Sequence, residues 1–278
     1  MDSLPDVQKL RDSRGIDINR VGVENILFPL YISTKEGDKV LVTATINLYG
    51  SLKHDVKGVN MSRFMEILMA WKYKELSSIS LHTMLSDLRN HLGVEDVEDV
   101  YAEISFPYFI TKRSPVSRKE SVMDHKCSFI GRLRDKYEFW LKVKVLTSSS
   151  CPCSREISEY GAHNQRSFST VTVKPLEEKF IWLEDLITLV ENCGSCQVYS
   201  LLKRSDEKYV TEKAYENSKF CEDIARDVSV ALQDLAILSS FKVKVANEES
   251  IHPHDAVSYV SRKLENGVWV SDKQGIQY

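Results

Sequence analysis

Strict alternation of apolar and polar positions marks the most regular strands of the chain. It runs through residues 40–49, 139–146, 168–173 and 241–245. Residues 101–110 and 257–260 repeat the pattern less strictly, and Pro107 makes the first of these an edge or bulged strand. A 3.6-residue period marks four helices. Residues 62–76 align Phe64, Ile67, Leu68 and Trp71, and residues 80–92 align Leu81, Met84, Leu85 and Leu88. Residues 176–192 align Phe180, Leu183, Leu186, Ile187 and Val190. Residues 219–235 align Phe220, Ile224, Val228, Ala231, Leu232 and Leu235.

The chain is read as two ββααββ units, over residues 1–135 and 136–278, the second showing all six elements and the first its inner four. The halves share no obvious identity. The one repeated string, Lys-Val-Lys-Val, falls twice in the second half, at 142–145 and 242–245. Strands paired around helix pairs give an α+β fold with antiparallel sheets. Two such units invite a wider sheet that curls toward a barrel by self-association.

Composition narrows the class. The chain has 278 residues, 42% hydrophobic and 28% charged, which is ordinary for a globular protein of one large or two modest domains. Its net charge of -3 argues against a nucleic-acid coat or a polybasic membrane anchor. The acidic start at residues 1–6 is no signal peptide, and no run of about 18 apolar residues offers a membrane span. The expected compartment is the cytoplasm. There the 6 cysteines are core residues, metal ligands or nucleophiles and not disulfides.

Four polar segments interrupt the patterns, all in the second half and at element ends. In the first, 147–158, Cys151 and Cys153 flank one proline and cannot comfortably bridge to each other. The second, 160–167, brings His163 twelve positions after Cys151. Thiolate and imidazole together are zinc-ligand chemistry, and three protein ligands with one open position is the catalytic form. The third, 202–208, precedes Glu212 and Glu222 and supplies carboxylates, though a run such as Lys-Arg-Ser-Asp-Glu-Lys is also the composition of a solvated turn. The fourth, 247–255, carries His252 and His254, residues of the type that serves acid/base roles. Cys193 and Cys196 form a Cys-x-x-Cys that could join Cys151 and Cys153 in a structural zinc site. The single residue inside Cys-Pro-Cys disfavours it. Cys127, Cys221, His54, His82, His91 and His125 read as core or surface residues.

Taken together, the strings at 151–158, 161–167, 202–208, 210–217 and 247–256 resemble the signature of the type IB GTP cyclohydrolase I family. In the first half, 57–64, 106–109 and 113–117 add to the likeness. The resemblance implies a bimodular tunnel fold, two ββααββ units assembling into barrels, as a homotetramer with sites at subunit interfaces. It implies hydrolysis of GTP to 7,8-dihydroneopterin triphosphate and formate, a first step toward tetrahydrofolate and queuosine. It places the metal on Cys151, His163 and Glu207, the guanine on Glu222, proton transfer on His252, and Cys153 in the site. The divalent metal could be zinc, manganese or ferrous iron. Arg63, Arg166, Lys203 and Arg204 are the cations available to a triphosphate. A cyclic-phosphate product of the archaeal type, a tunnel-fold nitrile reductase and a zinc-stapled assembly protein are the rival readings.

Overall fold

In the computed structural model, residue 8, residues 10–93 and residues 95–273 are described. The chain divides into two units, residues 1–106 with 128–140, and residues 107–127 with 141–278. The division interrupts three strands, so it coincides with no single chain position.

The first unit takes β1 (Ile18–Ser33), β2 (Lys39–Leu52), α1 (Met61–Ala70), β3 (Glu75–Leu76) and α2 (Ser78–Leu92). It also takes the first part of β4 (Val100–Arg113), the last part of β5 (Glu120–Leu133) and the start of β6 (Tyr137–Ser150). Its sheet order is β4-β2-β1-β3, antiparallel except for the two-residue β3. Ala44, Ile46, Leu48, Ala102 and Ile104 are fully buried, as are Phe64 and Leu68 of α1 and Leu81, Leu85 and Leu88 of α2. Each large side chain contributes about 1.5–3 kcal/mol by leaving water. Gly131 in β5 is required by this packing, because a Cβ there would lie 2.9 Å from Leu85 Cδ1 and 3.0 Å from Leu81. Ser77 and Ser80 form a reciprocal cap at the start of α2, and Gly93, at φ 105°, closes its end. The helix expected over 62–76 stops at Ala70. Tyr73 takes a left-handed φ of 58° and donates its N–H to Pro29 O at 3.3 Å, turning the chain into β3.

The second unit holds the rest of β4 to β6, then α3 (Pro152–Ile157), β7 (Asn164–Pro175), α4 (Leu183–Glu191) and β8 (Cys196–Gln197). It continues with α5 (Arg204–Glu216), α6 (Cys221–Gln233), β9 (Leu238–Glu248), β10 (Ala256–Glu265) and β11 (Val268–Ser271). Its sheet runs β11-β10-β9-β7-β6, with β8 on β6, and every pairing is antiparallel. Val143, Val145, Val171, Val173, Val243 and Val245 bury one face, and the stripes of α4 (Leu186, Ile187, Val190) and α6 (Ile224, Val228, Leu232) are equally buried.

Here the structure corrects the pattern twice. The helix expected from residue 176 begins at Leu183, and Phe180 lies outside it, 48% exposed and edge-on to Trp182. Residues 204–216, the composition of a solvated turn, form a full helix. The fold is α+β with mostly antiparallel sheet, as expected. Among the described residues no helix is long and apolar enough to cross a membrane.

Candidate active site

The register of β6 on β7 brings the first two polar segments together. Ser150 is paired with Asn164 at the last position, and beyond it the Cys151 N–H donates to His163 O at 3.0 Å. Cys151 caps α3 and Pro152 takes its first position, where a missing N–H costs nothing. Ser154 Oγ then accepts from the His163 N–H at 3.2 Å. Cys151 and His163 are half-buried, and Cys153, two positions after Cys151, is exposed.

A buried polar layer orients His163. Gln165 donates its Nε2 to Ser149 Oγ at 3.2 Å, so its carbonyl Oε1 faces His163 Nδ1, 2.9 Å away. Nδ1 therefore carries the proton, and Nε2 is left with a lone pair for a metal. Asn247 Nδ2 donates to the same Ser149 hydroxyl at 3.0 Å, and that hydroxyl donates to Lys219 O at 3.0 Å. Glu249 Oε2 lies 3.9 Å from His163 Nδ1.

The guanine candidate arrives from α6. The N–H of Lys219 donates to Ser150 O at 3.0 Å, so the start of α6 is tied to the strand end that leads into Cys151. Glu222 is exposed in the first turn, next to the Cys221 thiol, which donates to Glu222 Oε2 at 3.2 Å and is pushed up to about 11 by burial and then by that carboxylate. Arg155 of α3 donates to Glu216 O at 3.0 Å and to Ser218 Oγ at 3.2 Å, joining α3 to the α5–α6 connection.

The start of α5 is fixed from a distance. Asp206 is fully buried. It accepts from the N–H groups of Val116, Ser117 and Lys203, each at 2.8 Å, and from Ser117 Oγ at 2.6 Å. Burial opposes its charge, but these donors outweigh burial and hold the carboxyl well below the usual carboxylate range. Glu207, Lys203 and Arg204 stand exposed around it. The segment leading to α5 is held by a buried ion pair. Lys112 Nζ lies 2.7 Å from Glu191 Oε1, donates to Val198 O at 3.0 Å and sits 4.5 Å above the Tyr199 ring. Burial pushes Glu191 up against the pull of Lys112.

The other sequence candidates are dispersed. His252 and His254 are exposed in the β9–β10 turn, stacked on each other at 5.1 Å. Arg166 is exposed and faces Glu248 across the β7–β9 pair. Arg63 lies in the first unit, where its guanidinium donates to Leu92 O at 3.0 Å. Cys193 and Cys196 are buried, and burial raises both thiols, Cys193 to about 11.

By donor chemistry Cys151 and His163 suit a divalent metal. A third donor does not stand beside them. Among the described residues no group of three His, Cys, Asp or Glu is gathered for a metal, and Glu207 remains at the start of α5. Sequence reasoning did not find Gln165, Glu249 or Asp206. Gln165, two positions from His163, carried a local signal, while Val116 and Ser117, which hold Asp206, lie about ninety positions away.

The fold is that of the uricases. The uricase of Arthrobacter globiformis superposes with a TM-score of 0.53 over 93% of this chain and 98% of its own, at 7% identity. A Bacillus fastidious uricase gives 0.51 over 90% and 94%, at 10% identity. Identities this low establish the tunnel-fold-like architecture alone. Residues 4–258 match the family described as type I GTP cyclohydrolase folE2. The GTP cyclohydrolase FolE2 of Geobacter sp. (strain M21) is 46% identical over 264 residues, 95% of this chain and 97% of that protein. Those of Nitrosococcus oceani and Azoarcus sp. are 46% and 45% identical over 94% of this chain. The chain belongs to the type I GTP cyclohydrolase family.

Proposed function

We propose that the chain hydrolyses GTP at C8 of its imidazole ring, releasing formate and giving 7,8-dihydroneopterin triphosphate. Family membership makes it an enzyme, a GTP cyclohydrolase. The observation that carries the reading is the match over nearly the whole chain, including every segment that holds a site residue. The contact between Cys151 and His163 and the Gln165 carbonyl behind the imidazole support it.

In this reading Cys151 and His163 hold a divalent metal, zinc, manganese or ferrous iron, and Glu207 is the third ligand. A metal bound there would lower the pKa of a water on it toward about 7 and so supply a nucleophile. Glu222 accepts two hydrogen bonds from the ring N–H and the exocyclic amine of guanine, a task that needs two acceptor oxygens. His252 gives a proton to the leaving amine of the formamide, and Cys153, beside the metal ligand Cys151, is a further residue of the site. The cations proposed for the triphosphate are Arg63, Arg166, Lys203 and Arg204. The working enzyme is a cytoplasmic homotetramer, and its product feeds tetrahydrofolate and queuosine synthesis.

The test is turnover by metal-stripped protein given GTP with Mn²⁺ or Zn²⁺. Metal-dependent formate and a fluorescent oxidised neopterin are expected. A folded sample that yields neither with any divalent metal refutes the reading.

A further inference from the structure

The Lys-Val-Lys-Val string at 142–145 lies in β6 and its repeat at 242–245 lies in β9, and the proposed reaction uses neither. Their valines are buried on one face of the sheet. Alternation puts their lysines on the other face. Strand β7 runs between them, and its register is specific: Lys144 faces Thr170, which faces Lys244, while Lys142 faces Thr172, which faces Lys242. With strands about 4.8 Å apart and alternate residues about 7 Å apart, the lysines mark the corners of a rectangle of roughly 7 by 10 Å. The two threonine hydroxyls lie along its midline.

The lysines are held on this face before any ligand arrives. Lys144 Nζ sits 4.2 Å from the centre of the Phe168 ring, and Lys244 Nζ 5.3 Å from that of Tyr259. Among the described residues Lys144, Lys242 and Lys244 enter no ion pair. Glu248 stands across from Arg166 in the β7–β9 register, and Glu265 pairs with Lys263 at 2.6 Å. In a chain of net charge -3, a quartet of ammonium groups on one sheet face is a segregation that raises the local concentration of anions.

We propose that this face binds a phosphate chain, the lysines neutralising it and Thr170 and Thr172 donating hydrogen bonds to its oxygens. Thr170 is six positions along β7 from Asn164, roughly 20 Å, so the site is separate from Cys151 and His163. The chain could be inorganic polyphosphate or the triphosphate of a nucleotide.

Calorimetric titration of the full-length protein with inorganic tripolyphosphate tests this without reading turnover. Binding at low ionic strength is expected, and its loss at about 1 M salt, where the screening length falls to about 3 Å. The exposed triple variant K144Q/K242Q/K244Q should weaken it roughly tenfold or more. The pair T170V/T172V, which keeps the β-branched shape, should weaken it as well, and K203Q/R204Q should retain it. Displacement of tripolyphosphate by GTP but not by guanosine identifies the nucleotide as the source, and failure of GTP to displace it identifies free polyphosphate. No binding by the unmodified protein, or equal binding by the triple lysine variant, overturns the proposal whether or not GTP is turned over.

Discussion

Asp206 receives both the backbone N–H and the hydroxyl of Ser117, at 2.8 and 2.6 Å, across 89 positions of sequence. The bond makes the β4–β5 turn a support for the first turn of α5, where Glu207, Lys203 and Arg204 are displayed. Replacing Asp206 with Asn exchanges two acceptor oxygens for one, while three N–H donors and a hydroxyl still point inward. A buried donor left unmade loses its hydration without recompense. D206N should lower the melting temperature by several degrees and raise KM for GTP. An unchanged melting curve would show that the turn holds α5 without this carboxylate.

Gln165 fixes which nitrogen of His163 is free. Q165L keeps the approximate volume but removes the acceptor of the Nδ1 proton and the donor to Ser149. Loss of such an outer partner costs about 10–100-fold in metal affinity. Zinc titration against a competing chelator reads this directly. Equal affinity in the variant would mean that His163 is not a ligand through Nε2.

Lys112 and Glu191 are a buried pair, 8% and 7% exposed. K112M alone strands the Glu191 carboxylate and should cost about 3–5 kcal/mol of stability, while K112M/E191L should recover most of it. Denaturant titrations of the three proteins measure both steps. A double variant as unstable as the single would point to the Val198 carbonyl, not the ion pair, as what Lys112 serves.

Burial first, and then the charge of Lys112, lower the imidazole of His125 to about 4. In the unfolded chain its pKa is about 6.5. Between these values the unfolded state binds more protons, so stability falls as pH drops from about 6.5 to about 4, by on the order of 2–3 kcal/mol. H125F should flatten that slope. A pH profile identical to that of the unmodified protein would show that His125 does not carry it.

Much of the fold is legible in the sequence because the signal is local. A strand buried on one face alternates within its own residues, and β2, β6, β7 and β9 do so clearly. The amphipathic helices α2, α4 and α6 declare themselves in the same way. Helix α5 does not, because it buries only Asp206 and Ala214 and so has no apolar stripe. Strand β5 escapes because three consecutive residues, Cys127 to Phe129, are buried and break the alternation. Strand β1 escapes because its first half is largely exposed or half-buried.

For the site, chain order alone determined that a thiol and an imidazole flank one strand hairpin, since Cys151 and His163 are twelve positions apart. It also determined that Lys-Val-Lys-Val occurs twice. Which partners these residues meet was decided by tertiary structure. The carbonyl behind His163, the turn held by Asp206 and the threonine strand between the two lysine strings all depend on strand register and on contacts between distant segments. Those are fixed by the packing of a whole sheet and its helices, and no local period encodes them.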